Sequence, residues 1–398
     1  MEKKHISLDE KRCCGCGACV SICPVNAIEM RTSSKGFMYP QIKLEKCINC
    51  GKCKNICNYG ETVKTRENLD SYVAISKSNE LLKKSSSGGV FASIARAFIE
   101  NGGIVYGASM NYEKGKLNIK HIGIENLNQL YKIQGSKYVQ SFTIDTYKII
   151  KEQLKQNKLV LFSGTPCQIN GLKQFLNKEY KNLYTIDIIC HGVPSQKMFN
   201  DYISTIEKKK KIKIYNVIFR DKEKGWGLNG YIEYKQKDKK NKRMKLYKNE
   251  SSYYYLFLKG LIYRESCYNC PYASEKRPGD ITIGDYWGIE KEHPEILEKI
   301  DKKKGISCLI VNKVSGKMLL EQYGKYLNLY TTTFEKIKRN NGQLIKPVQK
   351  NNMCIEVMQQ YEEYGYIGVE KIFKKMMGLN IYKNHIINPI KTLLKRIL

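Results

Sequence analysis

Cysteine carries the first chemistry in this chain. Cys13-Cys14-Gly15-Cys16-Gly17-Ala18-Cys19-Val20-Ser21-Ile22-Cys23-Pro24 is followed by Cys47-Ile48-Asn49-Cys50-Gly51-Lys52-Cys53-Lys54-Asn55-Ile56-Cys57. Both runs read C-x2-C-x2-C-x3-C, the spacing of a protein that holds two [4Fe–4S] clusters. Three thiolates of each run face one cube, and the fourth cysteine points away and closes the other. The pattern assigns one cluster to Cys13, Cys16, Cys19 and Cys57, and the other to Cys47, Cys50, Cys53 and Cys23. A zinc module usually pairs two C-x-x-C units across a long gap, and a disulfide framework belongs to a small secreted chain. Two complete four-cysteine runs fit neither. Cys14 falls outside the pattern and reads as a bystander thiol.

Four more cysteines stand in loop contexts. Cys167 lies in Gly164-Thr165-Pro166-Cys167-Gln168, Cys190 in Cys190-His191-Gly192-Val193-Pro194, and Cys267 and Cys270 form a C-x-x-C followed by Pro271. Together they can hold a third [4Fe–4S] cluster. Four thiolates also suit zinc. A redox C-x-x-C is a further rival, although that motif normally opens a helix in a βαβ unit. Two clusters already at the front of the chain favour a third. Cys308, within Ile306-Ser307-Cys308-Leu309-Ile310-Val311, and Cys354 read as core fillers.

The elements that must position these residues follow from hydrophobic patterning. From about Thr146 the order is helix, apolar strand (158–163), helix (171–177), apolar strand (183–189) and helix (196–209). Apolar strands alternating with helices predict parallel pairing with right-handed crossovers. Ligands in such open sheets sit beyond the carboxyl ends of the strands, where Cys167 and Cys190 are expected. Further strands are predicted over 71–76, 103–108 and 120–125, and an antiparallel excursion over 214–221, 231–237 and 244–248. Between them, Ser85-Ser86-Ser87-Gly88-Gly89 precedes a helical pattern of Val90, Phe91, Ile94, Phe98 and Ile99. Hydroxyls and glycines at a helix N-terminus suit a phosphate, and equally a plain N-cap with a flexible lead. Gly135-Ser136-Lys137-Tyr138 offers a glycine, a hydroxyl and a cation suited to phosphate or ribose, on a tripeptide that also arises by chance.

The chain has 398 residues, enough for two or three domains, and a net charge of +31. The expected domains are 1–62, an iron–sulfur unit folded mainly around metal; 70–313, a mixed α/β unit; and 314–398, a helical, basic C-terminal region. Residues 60–69 read as a linker. Fifteen cysteines with no apolar leader after Met1-Glu2-Lys3-Lys4-His5 point to a reducing, cytoplasmic setting. No apolar run is long enough to span a bilayer. The lysines are spread widely rather than gathered in a nucleic-acid-binding motif, so no nucleic acid is expected. They favour an anionic partner protein or coenzyme. The tail 381–398 mixes Ile and Leu with Lys and Arg; it suits peripheral contact with a membrane face, and more often such an end packs on its own domain or frays.

Six motifs stand in order behind the cysteine runs: Ser85-Ser-Ser-Gly-Gly-Val-Phe91, Gly135-Ser-Lys-Tyr138, Phe162-Ser-Gly-Thr-Pro-Cys167, Cys190-His-Gly-Val-Pro194, Phe219-Arg-Asp221 and Asp280-Ile-Thr-Ile-Gly-Asp-Tyr-Trp-Gly288. The set resembles the coenzyme F420 hydrogenase/dehydrogenase beta-subunit family, in the form with a ferredoxin domain fused in front. The resemblance runs from about Cys13 to about Asn312. It implies an α+β chain with an α/β portion: a bacterial-type 2[4Fe–4S] ferredoxin domain, a larger mixed α/β flavin-binding domain and a helical C-terminal tail. It also implies a flavin-dependent oxidoreductase with FAD in the second domain beside a third cluster. Carried over by motif, the FAD would meet Ser86, Ser87, Gly88, Gly89, Gly135, Ser136, Lys137 and Tyr138. Thr165, His191 and Arg220 would lie near the flavin or substrate. Cys167, Cys190, Cys267 and Cys270 would hold the inner cluster. The flavin would exchange hydride with a deazaflavin coenzyme or another substrate, while the clusters pass single electrons. His191 is a candidate proton donor and equally a helix cap or a neighbouring hydrogen-bond donor. Two other roles fit the same parts: a non-catalytic electron-transfer subunit of a larger redox complex, and an oxidoreductase in cell-surface polysaccharide synthesis.

Overall fold

A computed structural model describes Ile6 and residues 9–57, 69–236 and 240–378. At the front, β1 (Ile28–Thr32) and β2 (Met38–Ile42) form an antiparallel hairpin with Ile28 opposite Ile42. Two short helices, Ala18–Ile22 and Lys52–Asn55, each begin after a left-handed glycine inside a cysteine run. Gly17 and Gly51 adopt φ 76°, a conformation that costs other residues a clash at Cβ. The two halves repeat in structure as they do in sequence.

The larger unit is built on β3 (Asp70–Ser76), β4 (Ile104–Glu113), β5 (Lys116–Ile124), β6 (Val160–Gly164), β7 (Leu183–Ile188), β8 (Lys213–Ile218), β9 (Gly230–Lys235), β10 (Asn241–Leu246), β11 (Ile281–Asp285), β12 (Ser307–Val311) and β13 (Leu327–Thr332). Eight of these make one sheet, ordered β13-β3-β12-β11-β7-β6-β4-β5. The run β11-β7-β6-β4 is parallel, and the flanking pairs are antiparallel. Val160, Leu161 and Phe162 on β6 are wholly buried, as a strand covered on both faces requires. Helices Ile144–Lys155 and Pro166–Leu176 pack with β6 through Tyr147, Ile150, Ile169 and Leu172. The excursion β8–β10 is a separate antiparallel sheet. It shares a core with helices Gln196–Lys210, Ser252–Leu258, Asn352–Tyr364 and Tyr366–Met377. The architecture is thus mixed α/β behind a ferredoxin-like front, with a helical C-terminal end.

Three expectations are corrected. The helix expected over 171–177 starts five residues earlier, at Pro166, so Cys167 sits on its first turn rather than in a loop. Proline pre-sets the first helical φ, and the Thr165 N–H donates to Gln168 Oε1 at 3.0 Å in the T-x-x-Q arrangement of a capping box. That signal was present in the sequence. Second, the region from 314 is not helical throughout, because Leu327–Thr332 is a strand paired antiparallel with β3. Its Leu-Asn-Leu-Tyr-Thr-Thr run has the alternation and β-branched ending of an edge strand. Third, the antiparallel excursion is offset from its expected bounds. Its first strand ends at Ile218, before Arg220 turns to reach Asp285, and its last begins at Asn241. The interdomain linker and the amphipathic tail fall on residues 58–68 and 379–398, outside the described residues. No described helix is long and apolar enough to cross a membrane.

Candidate functional site

The front cysteines divide between two cavities. Cys13, Cys16, Cys19 and Cys57 line one; Cys23, Cys47, Cys50 and Cys53 line the other. Burial raises the Cys19 thiol well above its ordinary pKa, and the nearby Cys16, Cys13 and Cys57 push it further. Cys57 is pushed to about 11, again by burial and then by Cys16 and Cys13. Thiols that burden one another in this way form a donor set that a cationic iron centre would relieve, because metal ligation demands the thiolates. The residues present therefore fit a cluster in chemistry as well as in grouping. Among the described residues, no three His, Cys, Asp or Glu side chains converge on a single-ion site. A cubane instead spreads its cysteines over separate irons.

The first of these cavities is seated on the larger unit. The Thr143 hydroxyl donates to the Cys16 carbonyl at 2.8 Å, Gln140 Nε2 to the Cys14 carbonyl at 3.2 Å, and the Ser21 hydroxyl to the Ile144 carbonyl at 2.8 Å. Gly171, on the helix that carries Cys167, lets the Cys16 side chain approach. A Cβ there would stand 2.9 Å from both Cys16 Cβ and Sγ. The second cavity is turned outward: Cys50 is exposed, and so are Leu44 (68%) and Ile48 (62%).

The structure brings together the four remaining loop cysteines. Burial raises Cys190 to about 12, and Cys167 and Cys270 add to it. Cys267 is raised by burial and then by Cys190, Cys270 and Cys167. Cys14 is not a bystander. Its thiol bonds to Cys16 and Cys167, and these two residues, Cys14 and Cys167, line both the front cavity and the large one behind it. Sequence reasoning missed this, because nothing local links positions 14 and 167. Cys308 and Cys354 are buried in the core, donating weakly to the carbonyls of Asp285 and Gly260.

The large cavity, about 310 Å³, opens beyond the carboxyl ends of β6, β7 and β11. Small residues make its floor, with Gly107, Ala108, Gly135, Gly164, Gly192 and Gly284 all facing it. Ser86, Ser87, Gly89, Ser136, Lys137, Tyr138, Thr165 and His191 line it as well. Ser86 Oγ accepts from the Ser136 N–H at 2.8 Å and from its hydroxyl at 2.9 Å, which ties the two expected phosphate loops together. Lys137 Nζ donates to the carbonyls of Gln134 (2.7 Å) and Lys132 (3.3 Å), and burial pulls its pKa down to about 7. His191 is open toward the cavity. Burial lowers its pKa below the ordinary value, with Asp285 opposing and Arg220 assisting, so its imidazole is neutral at neutral pH. The Thr165 hydroxyl stands 3.1 Å from Cys167 Sγ.

Two expected contacts are displaced. Gly88 does not line the cavity; its N–H donates to Ser307 Oγ at 2.9 Å, and a Cβ would meet the Ala74 carbonyl at 2.4 Å. It is a glycine because the loop presses on the sheet. Arg220 lies behind the wall. Its fork grips Asp285 at 2.9 and 3.2 Å, and Nη2 donates to the Ser86 carbonyl at 3.0 Å. Asp285 also accepts from Trp226 Nε1 at 2.9 Å, and Trp226 stacks on Trp287 at 4.9 Å and 5°. Arg220 thus braces Ser86 and the β11 end rather than facing a ligand.

Residues 157–336 match the family model for the C terminus of the coenzyme F420 hydrogenase/dehydrogenase beta subunit, and residues 12–60 match a 4Fe-4S dicluster domain. The chain belongs to this family. The dicluster domain stands in front of the beta-subunit domain, and the whole is an iron–sulfur redox chain of F420 hydrogenase type. No curated protein matches it. Among solved structures it is similar to a chain of the F420-reducing [NiFe] hydrogenase complex from Methanosarcina barkeri, studied by xenon derivatization. Identity is 15% and the TM-score 0.43, over 80% of this chain and 96% of that one.

Proposed function

We propose that this family member is a flavin-dependent oxidoreductase in which FAD occupies the large cavity and three [4Fe–4S] clusters lead to it. The observation that carries the reading is the shared wall of Cys14 and Cys167 between the front cysteine cavity and the glycine-floored one. It supports a continuous path from Cys23, Cys47, Cys50 and Cys53 at the surface, through Cys13, Cys16, Cys19 and Cys57, to Cys167, Cys190, Cys267 and Cys270 at the cavity edge. When bound, FAD supplies the exchange between a hydride pair and single electrons that clusters lack.

The chain's own groups divide the remaining tasks. Ser86, Ser87, Gly89, Gly135 and Ser136 line a turn pair suited to a pyrophosphate, and the helix Val90–Glu100, starting after Gly89, adds free N–H groups. Lys137, with a pKa of about 7, exchanges a proton at Nζ readily and would gain charge beside an anionic ligand. Neutral His191 offers one ring nitrogen as donor and the other as acceptor toward the substrate side. Exposed Leu44 and Ile48, beside Lys46, Lys52 and Lys54, suit docking of an acidic one-electron carrier at the outer cluster. Hydride exchange with a deazaflavin coenzyme or another substrate would take place on the open side of the cavity.

Anaerobic purification with iron counting and acid extraction of flavin tests the proposal. About twelve irons per chain with FAD are expected; about eight would leave only the front pair. Finding neither FAD nor FMN after reconstitution overturns the flavin reading. Reducible clusters and bound flavin without turnover on any hydride acceptor would favour the electron-transfer role within a larger complex.

A further inference from the structure

Arg264 is completely buried, at 0% exposure, three residues before Cys267. Its guanidinium donates to neutral acceptors. Nε and Nη2 donate to Gln140 Oε1 at 3.2 and 2.8 Å, Nη1 to the Cys13 carbonyl at 3.3 Å, and Nη2 to the Met38 carbonyl at 2.9 Å. The rings of Phe37 and Tyr39 lie 5.0 and 4.6 Å from it. Among the described residues no carboxylate pairs with it; the adjacent Glu265 is held by Lys350 at 2.8 Å. Gly15, at φ 67°, makes room, since a Cβ there would be 2.8 Å from Arg264 Nη2.

A buried charge without a counter-charge is costly, and a guanidinium cannot shed its proton. The anions that could answer it are thiolates. Burial raises Cys13, and Arg264 is the leading influence against that rise. At Cys167 the Cys14 thiol leads the lowering, and Arg264 adds to it. Four thiolates around a cubane leave net negative charge, which grows with each electron accepted. A fixed cation therefore favours the reduced state.

We propose that Arg264 is the counter-charge shared by the iron–sulfur sites of Cys13 and Cys167, holding both of their reduction potentials up. The proposal rests on the iron–sulfur reading of both sites. The same side chain also clamps the front loop and hairpin to the larger unit, so position and potential are set together.

The test is an EPR-monitored redox titration of the anaerobically loaded full chain, with the outer cluster of Cys23, Cys47, Cys50 and Cys53 as internal reference. In Arg264→Gln the reduced-to-oxidised ratio at fixed potential falls about tenfold at the two inner sites, about 59 mV for one electron, and the outer cluster moves less. Arg264→Lys keeps the charge and stays near wild type. Unchanged midpoints with full iron, or an equal shift at all three clusters, overturn the role. Should Arg264→Gln not assemble, Arg264→Lys decides. Assembly with near-wild-type potentials supports the charge, and failure of both variants overturns it in favour of the bonding fork alone. A wild-type chain lacking the Cys167 cluster would instead refute the functional reading of that site.

Discussion

Gly171→Ala sets two opposing effects against each other. Gly171 lies inside helix Pro166–Leu176, where glycine costs about 1 kcal/mol relative to alanine. With open space around it, the substitution would stabilise by that amount. The space is not open: the new Cβ would stand 2.9 Å from Cys16 Cβ and Sγ and 3.1 Å from the Tyr147 hydroxyl. Cys16 Cβ cannot swing away like the tip of a long side chain. Its backbone is tied to Thr143 at 2.8 Å, and its sulfur is committed to a cluster in the proposed state. Overpacking of this kind costs about 1–3 kcal/mol. The contact wins, and a net loss of about 1 kcal/mol is expected. Urea unfolding of the anaerobic, iron-loaded chain measures it, with iron counting alongside and the EPR signal of the Cys13 cluster as a local probe. A variant about 1 kcal/mol more stable than wild type, with full iron and an unaltered signal, would refute the claim that the front cluster loop is seated on this helix.

Arg277 and Asp187 form a buried pair at 2.8 Å, with side-chain exposures of 2% and 0%. Asp187 also accepts from Gly279 N and Thr282 Oγ1, each at 2.8 Å. Arg277→Met strands the carboxylate and should cost about 3–5 kcal/mol in urea unfolding; a loss under about 1 kcal/mol would contradict the pairing. Lys137 has a folded pKa of about 7, below an unfolded value near about 10.4, because burial opposes its charge. Between those values the unfolded chain binds the extra proton, so this group makes stability rise with pH from about 7 toward about 10. Subtracting Lys137→Met from wild type across that window should reveal the slope, and parallel curves would dismiss it. Thr165→Val removes the hydroxyl bonds to Gln168 (3.1 Å) and Cys167 and weakens the helix start by about 1 kcal/mol. Thermal unfolding should record this, while Thr165→Ser remains close to wild type.

What could be read along the chain is what depends on near neighbours. The eight front cysteines carry their spacing within short loops, and the left-handed Gly17 and Gly51 follow from the same runs. The apolar runs of β6 and β7 announced buried parallel strands, and Thr165-Pro166-Cys167-Gln168 contained a helix start that spacing alone could have revealed. Folding decided which thiols share a wall, since Cys14 and Cys167 meet only through docking of the front unit on helix Pro166–Leu176. It also turned Arg220 away from the cavity and toward Asp285, and buried Arg264 where no described acid pairs with it. Periodicity and spacing report neighbours along the chain. The direction in which a charged side chain points depends on partners far away in sequence, because burial makes each such charge find whatever counter-group the fold brings near.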